Sequence, residues 1–283
     1  MNQIEIKGIT KIFGETIALR NVTIGIAENR IYGLLGRNGA GKTTLLNLMT
    51  NKLFPTAGEI LIDGQNVQEN DQALSRVYCM AETNLYPENM KCRAAFDWSR
   101  EFYPKFDRNY ADQLAILFGL DTTKKIRSLS TGYQSIFKMI IALACQAEIL
   151  LLDEPVLGLD ANHRDLFYRE LLSNYSDNPK TIVISTHLIE EAADLLEEVI
   201  ILKEGEVLLV DHVENLLSRG YTLSGTSALV ESYIKDKHVL AVESFGGLKT
   251  AYLLDDQKRE GLQPGLEITK LDLQKMFIHL TNA

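Results

Sequence analysis

The sequence is poor in cysteine, and this shortage excludes two kinds of architecture. Cys79, Cys92 and Cys145 are the three cysteines of the 283 residues, and no two of them form a C-x-x-C pair. A disulfide framework or a cysteine-based metal site needs more cysteines at closer spacing. We therefore expect reduced, structural thiols in a reducing compartment.

Segments that would carry the chain into a membrane are also lacking. The richest apolar stretch, residues 139–152, is interrupted by Gln146 and Glu148. A membrane-spanning helix needs about 20 consecutive apolar residues. Residues 1–5 lack the basic and then apolar pattern of a secretion signal, so we expect none. If the protein serves a membrane, we expect it to act from the water side through a partner.

Positive charge is in deficit, which argues against binding to nucleic acid duplexes. Lysine and arginine number 29 against 38 aspartates and glutamates, for a net charge of −9. Duplex-binding proteins normally carry a basic stripe. The hydrophobic share of 46% is ordinary for a globular protein. The length allows one large domain, with or without a small one.

One glycine-rich stretch carries the clearest chemical signal. Residues 36–44 read GRNGAGKTT and match G-x-x-x-x-G-K-[ST], between an apolar run at 31–35 and a helix-like run at 44–49. In this strand–loop–helix context, backbone N–H groups and the helix N-terminus cradle phosphates. The lysine would reach the β- and γ-phosphates, and the hydroxyl after it would ligate Mg²⁺. The competing interpretation is a glycine-rich turn without a ligand. The nucleotide contacts expected from this loop are Gly36, Asn38, Gly39, Ala40, Gly41, Lys42, Thr43 and Thr44.

Two apolar strands further along the chain end in polar side chains. Residues 149–152 are apolar and lead into Asp153 and Glu154, and the strand at 181–185 leads to His187. Buried parallel strands deliver such groups to one crevice at their carboxyl ends. Asp153 suits the Mg²⁺ shell, and Glu154 suits a general base that activates water. An Asp-Glu helix cap after a strand is the alternative interpretation.

The remaining patterns indicate an α/β protein with attached parts. Alternating apolar residues predict strands at 3–7 and 17–27, ahead of a sheet rich in parallel strands. Aromatic residues and helix formers predict a helical subdomain over about 83–145, with most of the aromatics in its core. Residues 224–227 look like a linker, and we expect a small α+β appendage after them.

Together these motifs resemble the nucleotide-binding subunit of an ATP-binding-cassette (ABC) transporter. Gly36–Thr43 matches Walker A, Ile149–Asp153 with Glu154 matches Walker B plus the catalytic glutamate, and residues 158–160 match the D-loop. The resemblance implies an ABC ATPase domain at 1–218 and an accessory α+β domain at 219–283. It also gives individual residues a role. Phe13 would stack on adenine, and His187 would be the switch histidine. The signature segment would consist of Ser130, Thr131 and Gly132, and Asp160 would belong to the D-loop.

Two positions depart from the family pattern. The signature segment has Thr131 and Tyr133 where the family has glycine and glutamine. The Q-loop glutamine aligns with Glu82, which the resemblance places beside the γ-phosphate and Mg²⁺. An ionised carboxylate can only accept hydrogen bonds, whereas an amide can also donate them. We therefore expect Glu82 to alter the metal dependence or to slow turnover.

The resemblance implies an ATPase that energises a separate membrane permease. ATP and Mg²⁺ would be the cofactors, with Lys42, Glu154 and His187 as the catalytic residues and Thr43, Asp153 and Glu82 near the metal. The partners would be the permease, contacted through residues 84–87 and Trp98, and a second nucleotide-binding subunit. The expected location is the cytoplasmic face of the membrane, and the appendage is similar to that of bacterial exporters. The alternatives are a soluble ABC ATPase acting on nucleic acid or the ribosome and a nucleotide-binding module with little hydrolysis.

Overall fold

The computed structural model describes residues 2–255 and 262–282, and strands and helices alternate through most of this length. The strands, numbered in chain order, are β1 (Asn2–Phe13), β2 (Thr16–Ala27), β3 (Ile31–Gly36), β4 (Ala57–Ile62), β5 (Gln65–Asn66), β6 (Val77–Met80), β7 (Ile149–Asp153), β8 (Thr181–Ser185), β9 (Glu198–Lys203), β10 (Glu206–His212), β11 (Gly220–Thr226), β12 (Val239–Phe245), β13 (Leu248–Leu254) and β14 (Glu267–Lys270). The helices are α1 (Lys42–Met49), α2 (Asp71–Leu74), α3 (Cys92–Phe102), α4 (Arg108–Leu117), α5 (Thr131–Ala144), α6 (Ala161–Asp177), α7 (Ile189–Ala192), α8 (Val213–Arg219), α9 (Ser227–Ile234) and α10 (Leu273–Asn282), with 3-10 turns at Ile126–Ser128 and Ala193–Leu195.

A six-stranded sheet forms the centre of the fold. Its strand order is β10-β9-β3-β8-β7-β6, with β10 antiparallel to β9 and the other neighbours parallel. Every residue of β3, β7 and β8 is buried, as expected for parallel strands covered on both faces. The predicted α/β class with a parallel-rich sheet is confirmed.

A second sheet covers one face of the central sheet. It is antiparallel, has the order β2-β1-β4-β5, and is built mainly from the N-terminal strands. Alternating isoleucines of β1, among them Ile4 and Ile6, pack with Leu45 and Leu46 of α1 and with Leu151 of β7 in one apolar cluster. This packing holds α1, and with it the phosphate loop, between the two sheets.

The other face of the central sheet packs against helices α3 to α6. Phe96 of α3, Leu114 of α4 and Phe137 of α5 are each at most 1% exposed and belong to the largest apolar cluster. The predicted helical region is therefore present, with α3 ending just before Pro104. The three cysteines are buried and free, and burial raises the pKa of Cys79 to about 11.

The C-terminal part forms an antiparallel sheet with the order β12-β13-β11-β14, together with helices α9 and α10. The prediction of a linker at 224–227 is wrong, because residues 220–226 form a central strand of this sheet. Tyr221 and Leu223 carry its buried face, while the hydroxyl groups of Thr222 and Ser224 contact those of Thr269 and Thr250 on neighbouring strands.

Helix α10 packs back onto the part of the chain that forms the central sheet and its helices. Leu273, Met276 and Phe277 belong to the same large apolar cluster as the helical region. Gln274 Oε1 accepts a hydrogen bond from the Glu190 amide at 3.3 Å. The C-terminal part is therefore packed against the helices beside the central sheet. Within the described part of the chain, no helix has both the length and the apolar character of a membrane span.

Candidate functional site

Four chain segments meet at one edge of the central sheet because of its strand order. In the order β3-β8-β7-β6, the strands run parallel, so their carboxyl ends lie side by side. Lys42 follows β3, His187 follows β8, and Glu82 follows β6. Asp153 is the last residue of β7, and Glu154 comes directly after it. Crevices at the carboxyl ends of parallel strands are the usual ligand sites of such sheets.

These segments line a single cavity of about 490 Å³. It includes most of the expected phosphate-loop residues together with Glu82, Asp153, Glu154 and His187, but not Asp160. Its lining is Ala18, Arg37, Asn38, Gly39, Ala40, Gly41, Lys42, Thr43, Thr44, Glu82, Asp153, Glu154, Leu157 and His187. Residues separated by more than 140 positions in the sequence thus share one site.

The phosphate loop owes its shape to glycines with left-handed backbone angles. Gly39 has φ 81° and Gly41 has φ 103°, values that side-chain-bearing residues rarely adopt. A Cβ on Gly41 would also lie 2.8 Å from the Ala18 carbonyl oxygen. The loop closes with the Ala40 amide donating to the Arg37 carbonyl at 3.0 Å, directly before α1 begins.

Lys42 lies buried at the first position of α1. Its ammonium group donates to the Gly36 carbonyl at 2.7 Å and to the Arg37 carbonyl at 3.5 Å. Burial lowers the pKa of Lys42, and the carboxylates of Glu154 and Asp153 oppose this shift. The lysine is therefore held by loop carbonyls at the base of the cavity, with two acidic groups near it.

Asp153 has the properties of a metal ligand. The residue is 4% exposed, and its Oδ1 has no hydrogen-bond partner among the described residues. An unpaired buried carboxylate oxygen is costly unless another group satisfies it. No group of three or more His, Cys, Asp or Glu residues in the described ranges could hold a metal alone. Mg²⁺ would need the Thr43 hydroxyl, phosphate oxygens and water as further ligands, which matches its preference for oxygen.

Glu154 and His187 form a hydrogen-bonded pair. Glu154 has φ 47°, an uncommon angle for this residue type, and its amide donates to the Ser185 carbonyl at 2.8 Å. Its Oε2 lies 2.8 Å from His187 Nδ1. The backbone of β8 and the imidazole therefore both fix the orientation of this carboxylate over the cavity.

The expected signature segment lies outside this cavity. Ser130 caps α5 and accepts from the Tyr133 amide at 3.4 Å, and Asp160 caps α6 and accepts from the His163 amide at 2.9 Å. A Cβ on Gly132 would lie 2.9 Å from the Gly158 carbonyl oxygen, so the two turns pack closely. Within a single chain these residues act as helix caps and turn contacts, and their nucleotide role stays a prediction.

Phe13 also lies outside the cavity lining, at the end of β1. Its side chain is 45% exposed, and the Lys11 ammonium lies 4.9 Å from the centre of its ring. Ala18 of β2, Arg37 and Leu157 line the cavity although sequence reasoning did not single them out. Arg37 stands within the matched glycine-rich motif, which was the available signal, whereas Ala18 and Leu157 carry no recognisable one.

An exposed aromatic group marks the helical region near Glu82. Trp98 is 42% exposed, and its ring centre lies 6.3 Å from that of Tyr86 and 5.6 Å from that of Phe102. Leu85, in the segment after Glu82, is 54% exposed. These residues form an apolar surface beside the segment that leads out of the cavity.

A phosphate loop, a buried aspartate at a strand end and a glutamate–histidine pair define a phosphate-loop nucleotide-binding protein of the ATPase class. The family model for ABC transporters matches residues 19–157. The chain is 30% identical over 213 residues to the ABC transporter ATP-binding protein YtrB of Bacillus subtilis, covering 75% of this chain and 73% of the relative. The chain belongs to the ABC transporter family as an ATP-binding subunit.

Further relatives and solved structures agree with this assignment. The bacitracin transport ATP-binding protein BcrA of Enterococcus faecalis is 30% identical over 220 residues, covering 76% of this chain and 71% of that protein. Proteins named for import also match, so the comparison leaves the transport direction open. A dimeric ATP-binding cassette in a post-hydrolysis state with ADP and Pi has a TM-score of 0.66 and 26% identity, covering 74% of this chain and 98% of the cassette.

Proposed function

We propose that this chain hydrolyses ATP with Mg²⁺ and uses the energy to drive a membrane permease. One observation carries the proposal: a single cavity brings Lys42 of the phosphate loop, Asp153 and the Glu154–His187 pair together. Each of these groups has a distinct task in phosphoryl transfer to water, where positioning and charge stabilisation supply most of the catalysis.

The protein groups divide this work between the phosphates and the attacking water. Lys42 would leave the Gly36 carbonyl and donate to the β- and γ-phosphates, joined by loop amides at the start of α1. Glu154 would orient a water molecule and accept its proton. His187 presents Nδ1 to Glu154 and would use Nε2 to contact the γ-phosphate.

The metal-binding residues of the proposal are Thr43 and Asp153, with Glu82 beside them. Bound Mg²⁺ supplies charge neutralisation on the phosphate oxygens. The orphaned Oδ1 of Asp153 is the structural feature that favours this assignment.

The signature segment would complete the site of a second copy or of a related chain. Ser130 and Gly132 lie outside the cavity of their own chain, where they would be free to meet nucleotide on a partner. Thr131 stands where the family has a glycine. Its methyl group packs against Gly158, 3.3 Å from where a Cβ on Gly158 would lie. Asp160 would act from the adjoining turn, and Phe13 would stack on adenine.

The permease contact would use the surface around Leu85, Tyr86 and Trp98, because it adjoins the segment that carries Glu82. The protein would then work at the cytoplasmic face of the membrane. Export is the direction we propose, supported by the similarity of the appendage to those of bacterial exporters. Inverted membrane vesicles that contain the permease measure this direction. Export appears as ATP-driven accumulation of the transported compound inside them, and import appears as its loss.

The hydrolysis proposal is tested by steady-state ATP turnover with the purified chain. Wild type should release phosphate from ATP only when Mg²⁺ is present, and Glu154→Gln should lower turnover by at least about a hundredfold while ATP binding persists. Glu28→Gln, at an exposed glutamate between β2 and β3, is the control and should match wild type. Turnover at the wild-type rate in Glu154→Gln would exclude Glu154 as the base, and binding of ATP without turnover in wild type would make the chain a nucleotide-binding module.

A further inference from the structure

Lys138 links the helix that follows the signature segment to the segment that carries Glu82. Its ammonium group donates to the Glu82 carbonyl at 2.7 Å and to the Ala81 carbonyl at 3.1 Å. Lys138 is the eighth residue of α5, which begins at Thr131. One side chain therefore joins two functional segments that are more than 50 residues apart in sequence.

The surroundings of Lys138 make this contact specific. Its neighbours Phe137 and Met139 are fully buried, so the helix is anchored in the core on both sides of the lysine. Burial lowers the pKa of Lys138, and the carboxylates of Glu82 and Asp153 oppose this shift. A half-buried ammonium group is costly unless hydrogen-bond acceptors satisfy it, and the two carbonyls do so.

The segment that receives these bonds lies just past the end of β6. Glu82 and Thr83 are exposed and follow the last residue of β6, Met80. The carbonyls of residues 81 and 82 are the first two after β6, so they lie beyond the residues of β6 that pair with β7. Two hydrogen bonds from one cation hold the backbone of residues 81 and 82, and Glu82 lies in the cavity lining with Asp153.

Building on the proposed function, we propose that Lys138 is a positioning residue that holds Glu82 at the metal-binding edge of the nucleotide cavity. Lys138 binds the backbone of Glu82, and Glu82 lines the cavity beside Asp153. Because Lys138 stands on the signature helix, a movement of that helix changes the position of Glu82 directly. Lys138 acts through Glu82 and does not touch the nucleotide.

The test compares Lys138→Met, Lys138→Arg, Glu82→Gln and the double variant Lys138→Met/Glu82→Gln with wild type. The first readout is amide hydrogen exchange over residues 81–86 in nucleotide-free protein. The second is the affinity for a fluorescent ATP analogue with and without Mg²⁺, which needs no hydrolysis. Lys138→Met should speed the exchange of these amides and reduce the gain in affinity from Mg²⁺ by about tenfold, the size typical for a lost outer-shell partner. Lys138→Arg keeps charge and donors and should restore most of both.

Lys180→Met is the matched control, since the Lys180 ammonium group is likewise held by two oxygen atoms, those of Asn174 at 2.7 Å and Gln146 at 3.3 Å. It precedes β8, at the opposite end of that strand from the cavity, so its loss should change neither readout. In the double variant, the Mg²⁺ effect should equal that of Glu82→Gln alone, because Lys138 acts through that carboxylate.

Three results would overturn the proposal: unchanged exchange in Lys138→Met, an unchanged or larger Mg²⁺ effect in that variant, or independent effects that add up in the double variant. A failure of the hydrolysis proposal would appear instead as absent turnover in wild type, while the exchange and binding measurements would still decide the role of Lys138.

Discussion

His187 Nδ1 lies 2.8 Å from Glu154 Oε2, which joins the residue after β7 to the turn after β8. The two strands are neighbours in the sheet, with Asp153 directly opposite Ser185. The geometry of the pair therefore depends on the register of β7 and β8, two buried parallel strands. The imidazole that follows β8 aligns the carboxylate that follows β7.

We predict that His187→Ala lowers ATP turnover by at least about a hundredfold with ATP binding retained, because the carboxylate loses its orienting partner. Phosphate release and equilibrium binding of ATP measure the two effects. His212→Ala is the control, because His212 is similarly exposed and also lies near a glutamate, Glu198. Glu198 is at the start of β9, outside the cavity lining. Equal losses in both variants would contradict a specific role for His187.

Helix α10 should contribute strongly to the stability of the whole chain. Phe277 is 9% exposed and packs in the main apolar cluster, whereas its neighbour Ile278 is 40% exposed. Phe277→Ala should lower the free energy of unfolding by about 3 kcal/mol, the lower end of the range for a buried phenylalanine. Ile278→Ala should stay within about 0.5 kcal/mol of wild type. Urea unfolding followed by circular dichroism compares them, and equal values would show that α10 does not depend on this contact.

Lys180 gives a pH dependence whose sign follows from its burial. Burial lowers its pKa below the ordinary 10.5, with Cys145 opposing the shift. Between the lowered pKa and 10.5, the unfolded chain binds more protons than the folded one, so the contribution of Lys180 to stability rises with pH in that window. The free energy of unfolding of wild type minus that of Lys180→Met should therefore increase from pH 7 towards pH 10.5. A difference that falls or stays constant would contradict the assignment.

Short motifs and strand patterns were predictable because each depends on residues close together in sequence. The phosphate loop needs its glycines and Lys42 within nine positions, and the acidic pair follows directly on an apolar strand. The parallel order of the strands then places Asp153 and His187 at one edge, which sequence reasoning also anticipated. These parts follow from local geometry and one general rule of sheet topology.

The parts that escaped prediction depend on contacts between distant residues. The bond from Lys138 to Glu82 joins positions 56 apart, and a lone lysine in an apolar helix gives no signal of its partner. The strand at 220–226 was taken in part for a linker because its serine, threonine and glycine residues are typical of loops. Its true state is set by pairing with β13 and β14 on both sides, which local composition does not reveal.

The close packing of Gly132 on Gly158 gives a test of the signature segment. A Cβ on Gly132 would lie 2.9 Å from the Gly158 carbonyl oxygen, and backbone atoms cannot move aside cheaply. Gly132→Ala should therefore push the turn at 158–160 away from α5 and lower the free energy of unfolding by about 1–3 kcal/mol.

The same displacement should weaken dimerisation driven by ATP, because the proposed composite site needs the signature segment and the D-loop together. Size-exclusion chromatography with ATP, in a Glu154→Gln background that retains bound nucleotide, measures the dimer fraction. Gly247→Ala is the matched control, since its new Cβ would meet nothing within 4 Å. A Gly132→Ala protein that dimerises as well as the Gly247→Ala protein would remove the signature segment from the proposed interface.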